Sequence, residues 1–290
     1  MLFGLSLPPF GKFGDVRNLA RLAATVEDAG WDGLFIWDHV MFDPTFHPIA
    51  DPWVALAAIA LHTSRLRLGA MVTPLARRRP WQVARETVSV DLLSEGRLIF
   101  GAGLGEPVQW DFGFFHEEQD ARRRAEKLDE ALDILTGLWR GEMFSYRGQH
   151  YQLEPVRFQP TPLQKPRIPI WIGGGWDKAR PQRRAARYDG YIPLKLGSVL
   201  TLPEWEIIKG NIAAHRDPAA PFDLVHSGNS PGDDRAAGAD MAAAYAAQGI
   251  TWWLENVDPW RWGFSWEEPI RPEAIELMEE RIRQGPPRRG

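Results

Sequence analysis

The 290-residue sequence contains no cysteine. That removes disulfides, thiolate metal sites and cysteine nucleophiles together, and it fits a reducing, cytoplasmic setting. Long hydrophobic runs are also missing. The longest fully apolar stretch, Trp53 to Leu61, falls well short of the ~20 residues that a membrane-spanning helix needs. Met1 to Gly14 has no basic stretch leading into an apolar core, so no secretory signal is expected. There is no excess of positive charge either: the formal net charge is −4, which argues against a nucleic-acid partner. No internal repeat and no linker-like stretch divides the chain, so a single domain over 1–290 is expected, with a Pro/Arg/Gly tail frayed from Gly285. Tryptophan, by contrast, is abundant, with 14 copies.

What the chain has instead is a regular alternation of short β-like runs and helical stretches, the pattern of parallel strands joined by crossover helices. Leu2–Leu7 reads as a first strand. Asp15 then caps a helix whose stripe of Val16, Leu19, Ala20, Ala23 and Val26 stops at Gly30. Gly33–Trp37 is a second strand, and Asp51-Pro52 opens a helix through His62 with a capping carboxylate and a proline at its first position. Further strands are expected at Leu66–Thr73, Leu98–Gly101, Ile168–Ile172, Gly190–Leu194, Phe222–His226 and Thr251–Asn256, with helices between them and a closing one at Glu273–Ile282. The clearest helix carries Ala125, Leu128, Leu132, Leu135 and Trp139 at 3,4,3,4 spacing. Eight β/α units close a barrel, so the expected fold is an α/β (β/α)8 TIM barrel, with insertions at Gly105–Glu118 after the fourth strand and at Gly141–Lys165 before the fifth. The second insertion reads as a hairpin around Arg147-Gly148.

A barrel builds its active site from residues at the C-terminal ends of its strands. Those positions carry Asp38 and His39 after the second strand; Met71, Val72, Thr73 and Arg77 after the third; and Gly101 to Glu106 after the fourth. Gly173-Gly174-Gly175, Lys195, Ser227-Gly228 and Glu255 follow at the later strands. The glycine runs let backbone approach a ligand, and N–H groups beyond them can hold an anion; each could equally be a tight turn. His39 is the leading acid/base candidate, with Asp38 and Glu106 beside it. Gly228-Asn229-Ser230-Pro231-Gly232 has the spacing of a hydrolase nucleophile, but that fold needs a later histidine and His226 is the last. The seven histidines show no metal-ligand spacing. Lys195 could form a Schiff base, which makes a lyase the rival enzyme class; a non-catalytic binding protein is another alternative. Aromatic residues crowd the expected mouth: Trp110, Phe112, Phe114 and Phe115 after the fourth strand, and Trp252, Trp253, Trp260, Trp262, Phe264 and Trp266 at the eighth. They suit a flat or apolar small molecule, with Trp110 and Trp253 as substrate candidates. On an alternating strand Trp252 and Trp253 cannot both face the barrel.

Several segments together resemble the luciferase-like flavin oxidoreductases: Ala29-Gly30-Trp31-Asp32-Gly33, Trp37-Asp38-His39, Leu68 to Pro74, Leu93-Ser94-Glu95-Gly96-Arg97, Gly101 to Gly105, Arg124 to Glu130 and Ile170 to Gly174. The resemblance covers Met1 to Gln182 and thins beyond. It implies an oxidoreductase using either FMN or the deazaflavin coenzyme F420, with the ring near Asp38, His39 and the end of the third strand. A non-prolyl cis peptide is implied within Ala70, Met71 and Val72. Cofactor contacts would fall on those three residues, on Gly103 and Gly105, and for the phosphate on Arg124 and Gly173, Gly174 and Gly175. The Asp-His pair and the Gly-x-Gly-x-Gly-Glu run favour F420 hydride transfer over FMN and oxygen. The chain lacks the cysteine and the histidine-rich seventh loop of better-known monooxygenases. A homodimer is the assembly allowed for.

Overall fold

Short apolar runs become strands because each is bounded by a helix cap or a glycine and is too brief for a stable helix. In the computed structural model, which describes residues 1–42, 47–265 and 268–288, these runs are β1 (Leu2–Leu7), β2 (Gly33–Ile36), β3 (Arg67–Ala70), β4 (Thr73–Pro74) and β5 (Phe100–Gly103). A hairpin, β6 (Met143–Arg147) and β7 (Gln152–Arg157), precedes β8 (Ile170–Gly175), β9 (Gly190–Leu194), β10 (Asp223–Gly228) and β11 (Trp252–Asn256). The helices are α1 (Val16–Asp28), α2 (Pro52–His62), α3 (Pro80–Leu93), α4 (Val108–Asp111), α5 (Ala121–Trp139), α6 (Ala179–Ala185), α7 (Leu202–Ala213), α8 (Arg235–Ala246) and α9 (Pro272–Arg283). The expected caps are present: the Asp51 carboxylate accepts from Trp53 N and Val54 N, both at 3.0 Å.

All strands but the hairpin form one parallel sheet in the order β3-β2-β1-β11-β10-β9-β8-β5-β4. β4 continues the stave begun by β3. Leu68 bridges to Leu98 just before β5, where Leu68 N donates to Arg97 O at 3.2 Å and Ile99 N to Leu68 O at 2.9 Å. The ring is therefore nearly closed, a (β/α)8 barrel of eight staves. Two strands run further than the apolar pattern suggested. β5 extends to Gly103 and β8 to Gly175, so Gly101, Gly103 and Gly173 to Gly175 lie in strand ends, and Gly105 stays in the loop.

Side chains alternate along each strand. Phe35, Met71, Ile99, Trp171, Val225, Trp252 and Leu254 pack together with Ile192 as the barrel interior. Leu34, Leu68, Phe100, Ala102, Ile170, Ile172, Tyr191 and Trp253 face the other way, into the layer of helices. Each fully buried tryptophan removes on the order of 150–250 Å² from water, about 4–6 kcal/mol at roughly 25 cal/mol/Å². Above the large interior side chains, the inward positions nearest the C-terminal mouth hold small residues: Ser6, Gly103, Gly173, Gly175, Ser227 and Asn256. The barrel is thus filled at its base and open as a cup at its mouth.

The tail does not fray at Gly285. Gly285, Pro286 and Pro287 are buried, Arg281 Nη1 donates to Gly285 O at 2.8 Å, and Arg288 pairs with Asp32 and lies over the Phe3 ring. Residues 289–290 fall outside the described set, as does Trp266. Among the described residues no helix is long and apolar enough to cross a membrane.

Candidate active site

The end of β2 supplies three consecutive side chains with three different tasks. Trp37 Nε1 donates to Ser6 Oγ at 3.0 Å, fixing its ring at the mouth. Asp38 is buried and receives Arg77 Nη2 at 2.7 Å and Arg78 Nη2 at 2.9 Å on its Oδ1. Arg77 Nη2 also donates to the Asp38 carbonyl at 3.0 Å. Asp38 thus holds two guanidinium groups on Oδ1, while its buried Oδ2 has no partner among the described residues. Burial pulls the Arg78 guanidinium down, but Asp38 outweighs it and leaves the group above its ordinary value.

His39 is bound differently. Its Nδ1 lies 2.7 Å from Oδ2 of Asp111, at the end of α4. The other Asp111 oxygen accepts from Val40 N at 2.8 Å and lies 3.9 Å from Arg77 Nη2. A carboxylate only accepts, so in the neutral imidazole the tautomer this contact selects has its proton on Nδ1 and its lone pair on Nε2. Among the described residues Nε2 has no protein partner. The side chain of Asp111 is fully enclosed, whereas His39 keeps a narrow exposed edge. Asp111 went unsingled in the sequence. The only signal was an acidic residue set between Trp110 and Phe112 in the loop after a barrel strand.

The glycines prove to serve the bulge between β3 and β4, where the peptide Met71–Val72 is cis and non-prolyl, inside the expected Ala70–Val72 window. A Cβ on Gly101 would meet Met71 Sδ at 2.6 Å, and on Gly103 or Gly173 it would meet the Val72 methyls at 2.4 and 2.6 Å. Val72 thus projects into space that both glycines leave open. Gly105 is a different case: its φ of 84° favours glycine outright. The Tyr191 hydroxyl donates to the carbonyls of Gly174 and Gly175 at 3.1 and 3.0 Å, and burial pushes that hydroxyl above its ordinary value.

Arg124 is buried and turned toward the β5 loop. Its Nη1 donates to Leu104 O at 3.0 Å and Gly105 O at 2.8 Å, and its guanidinium lies over Phe112. It steadies the loop through Nη1, while its buried Nε has no partner among the described residues. Glu106 lies 3.6 Å from Arg124 with a side chain 53% exposed, a solvated partner and not an enclosed acid. Trp110 packs on Phe42 near His39.

Other candidates lie elsewhere. Trp253 faces the helix layer, against His226 and Tyr245, with Nε1 donating to Glu255 Oε2 at 2.7 Å. It cannot line the mouth, because the alternation of β11 gives the inward position to Trp252. Glu255 likewise points outward. It accepts from Ser230 N at 2.9 Å and Ser230 Oγ at 2.8 Å and pairs with Arg261 and Arg281. Ser230 is thus bound to a carboxylate and an arginine, with no histidine beside it. The Lys195 ammonium is held by both oxygens of Glu204, at 2.7 and 2.9 Å, which ties up the amine that a Schiff base would use. Among the described residues no group of three or more His, Asp or Glu is placed to hold a metal.

The chain is similar to several known proteins. A family model described as luciferase-like monooxygenase matches residues 3–253. An F420-dependent glucose-6-phosphate dehydrogenase of Microbacterium testaceum (strain StLB037) is 33% identical over 181 residues, covering 61% of this chain and 52% of that protein. The chain spans about half the length of the curated relatives it matches. The coenzyme F420-dependent tetrahydromethanopterin reductase of Methanopyrus kandleri superposes with a TM-score of 0.71 at 16% identity, over 96% of this chain and 97% of that one. The oxygenating constituent of 3,6-diketocamphane monooxygenase from Pseudomonas putida, in complex with FMN, superposes at 0.62 with 19% identity, over 80% and 68%. With the family model covering most of its length and the barrel shared, the chain belongs to the luciferase-like monooxygenase family.

Proposed function

We propose that the protein is an oxidoreductase that binds a flavin-type cofactor across the barrel mouth and uses His39 to manage the proton that accompanies hydride transfer. The observation that carries this reading is the His39–Asp111 pair, whose Nε2 has no partner among the described residues, at a mouth lined by small residues. The cup fits a planar ring. Ala70, Met71 and Val72 would back it, Gly103, Gly173, Gly174 and Gly175 would flank it, and Arg124 would act indirectly by fixing Gly105. When bound, such a ring supplies a hydride acceptor or donor.

The chain's own residues do the rest. Asp111 holds the His39 tautomer, so that Nε2 can take a proton from a substrate hydroxyl or return one to a carbonyl oxygen. Arg77 ties Asp38 and Asp111 together and keeps the buried charges paired. F420 is favoured over FMN, supported by the sequence relatives whose names carry F420. A homodimer belongs to the same proposal: Val54 and Leu61, one face of α2, are 59% and 68% exposed on a helix that is apolar on its buried face too.

The test is titration of the purified protein with F420 and with FMN, followed by absorbance and fluorescence. Saturable binding of F420, tighter than FMN, is expected. Binding of neither overturns the proposal; tighter FMN binding overturns the choice of cofactor. His39→Ala should bind the cofactor normally and lose turnover.

A further inference from the structure

We infer that the subsite beside His39 takes a neutral, ring-bearing or similarly apolar alcohol or carbonyl compound, and that Trp260 sets this preference. The inference rests on His39 as the proton-handling residue. Its ring is boxed by aromatic neighbours, with centroids 5.0 Å to Phe42, 5.9 Å to Phe10 and 6.0 Å to Trp37. Trp110 stands 5.2 Å from Phe42, and Trp260 stands 6.0 Å from Phe42 and 6.4 Å from Trp37. Phe10 and Phe42 are buried and support the others from behind. Trp37 and Trp110 are half-buried, and Trp260 is 53% exposed, so three indole rings present apolar surface around one imidazole.

The charge around this wall points the same way. Arg77 and Arg78 are taken up by Asp38 and Asp111, and Arg261 by Glu255. A dianionic phosphate brought here would meet indole faces and cations already committed to carboxylates, and its desolvation would go uncompensated. A neutral ring would stack or meet the indoles edge-on, with its oxygen reaching His39 Nε2. In this the chain parts from the glucose 6-phosphate named for its sequence relatives.

Trp260 is also mounted firmly for a residue so exposed. It sits in the 3-10 turn Pro259–Trp262, capped by Asp258, which accepts from Arg261 N at 3.3 Å. The Arg261 guanidinium anchors the turn from below on Glu255 and donates to Asn256 O at 2.9 Å. A rigid, solvent-edged indole facing the other rings is the part of the wall that a substrate meets first.

The experiment is calorimetric titration of the protein, and of Trp260→Ala and Trp260→Phe, with benzyl alcohol and separately with glucose 6-phosphate. Benzyl alcohol should bind more tightly than glucose 6-phosphate. Trp260→Ala should weaken benzyl alcohol about five- to tenfold, the loss of one aromatic contact, while Trp260→Phe retains most of the affinity. Equal or tighter binding of glucose 6-phosphate, or an unchanged benzyl alcohol affinity in Trp260→Ala, overturns the inference. Cofactor titration is read separately. If benzyl alcohol binds through Trp260 while neither F420 nor FMN binds, the redox reading fails and the subsite stands; if a cofactor binds and benzyl alcohol does not, the subsite fails alone.

Discussion

Replacing Asp111 by asparagine tests the centre of the mechanism with almost no change of shape. The carboxylate serves His39 Nδ1 at 2.7 Å through one oxygen and Val40 N at 2.8 Å through the other. An amide has a single acceptor. If its oxygen stays on Val40 N, the amide nitrogen donates to His39 Nδ1 and drives the ring proton to Nε2, the atom that must accept one. The opposite orientation would set an amide N–H against Val40 N–H and leave a buried donor unpaired, so the first is favoured. Because the Asp111 side chain is fully enclosed, solvent does not dilute the effect. A charge-assisted hydrogen bond of this kind is worth about 1.5–3 kcal/mol, which is roughly ten- to 150-fold in turnover. Cofactor affinity should hold, and ¹⁵N spectra of the histidine rings should show the His39 proton moved from Nδ1 to Nε2. The double variant with His39→Ala should be no slower than His39→Ala alone. Turnover within twofold of the parent, an unmoved ring proton, or additive losses in the double variant would refute the reasoning.

Three further outcomes follow from the same structure. Gly173→Ala puts a methyl 2.6 Å from Val72 Cγ1; thermal unfolding should show a loss of about 1–3 kcal/mol, largely relieved in a Val72→Ala background, and equal losses in both backgrounds would contradict the packing account. His226 is held down to about 3 by burial, against 6.5 in the open chain, so the native state refuses a proton that the unfolded state accepts. Its stabilisation is complete above pH 6.5 and is lost as pH falls toward 3. Urea unfolding should therefore show about 1.4 kcal/mol lost between pH 7.5 and 5.5 that is missing from His226→Phe. Lys195→Ala should keep cofactor binding and turnover and lose at most about 1 kcal/mol of stability, since its pair with Glu204 is partly solvated; abolished turnover would revive Schiff-base chemistry.

The barrel was legible because its staves are short apolar runs set at a steady interval, and the α2 cap could be read from Asp51-Pro52 alone. What escaped the sequence was mostly a matter of phase and distance. Trp252 and Trp253 announce a strand, but their identities do not say which faces inward; only the neighbours Phe35 and Trp171 decide it. The same parity turned Glu255 outward. The glycine runs looked like ligand loops because glycine signals close approach without naming what approaches, and here Val72 is part of the answer. Asp111 lies 72 residues from His39, so no local spacing could join them. Asp38 was found through its neighbour His39, yet its task depends on Arg77 and Arg78, almost forty residues on.

The seam of the ring has a consequence for how the molecule breathes. β1 and β11 share five register positions without a break, whereas the β3–β4 stave meets the β5 stave at Leu68–Leu98 and again, past the bulge, at Thr73–Ala102 and Pro74–Gly103. Amide hydrogen exchange should separate the two: Leu68 and Ile99 should exchange through local opening, and Leu5 and Leu254 only with the whole fold. The Met71–Val72 bulge interrupts that joint between Leu68 and Thr73. A ring bound against the bulge would rivet the seam, so the amides slowed most by cofactor should include Leu68 and Ile99, which themselves lie below the cup.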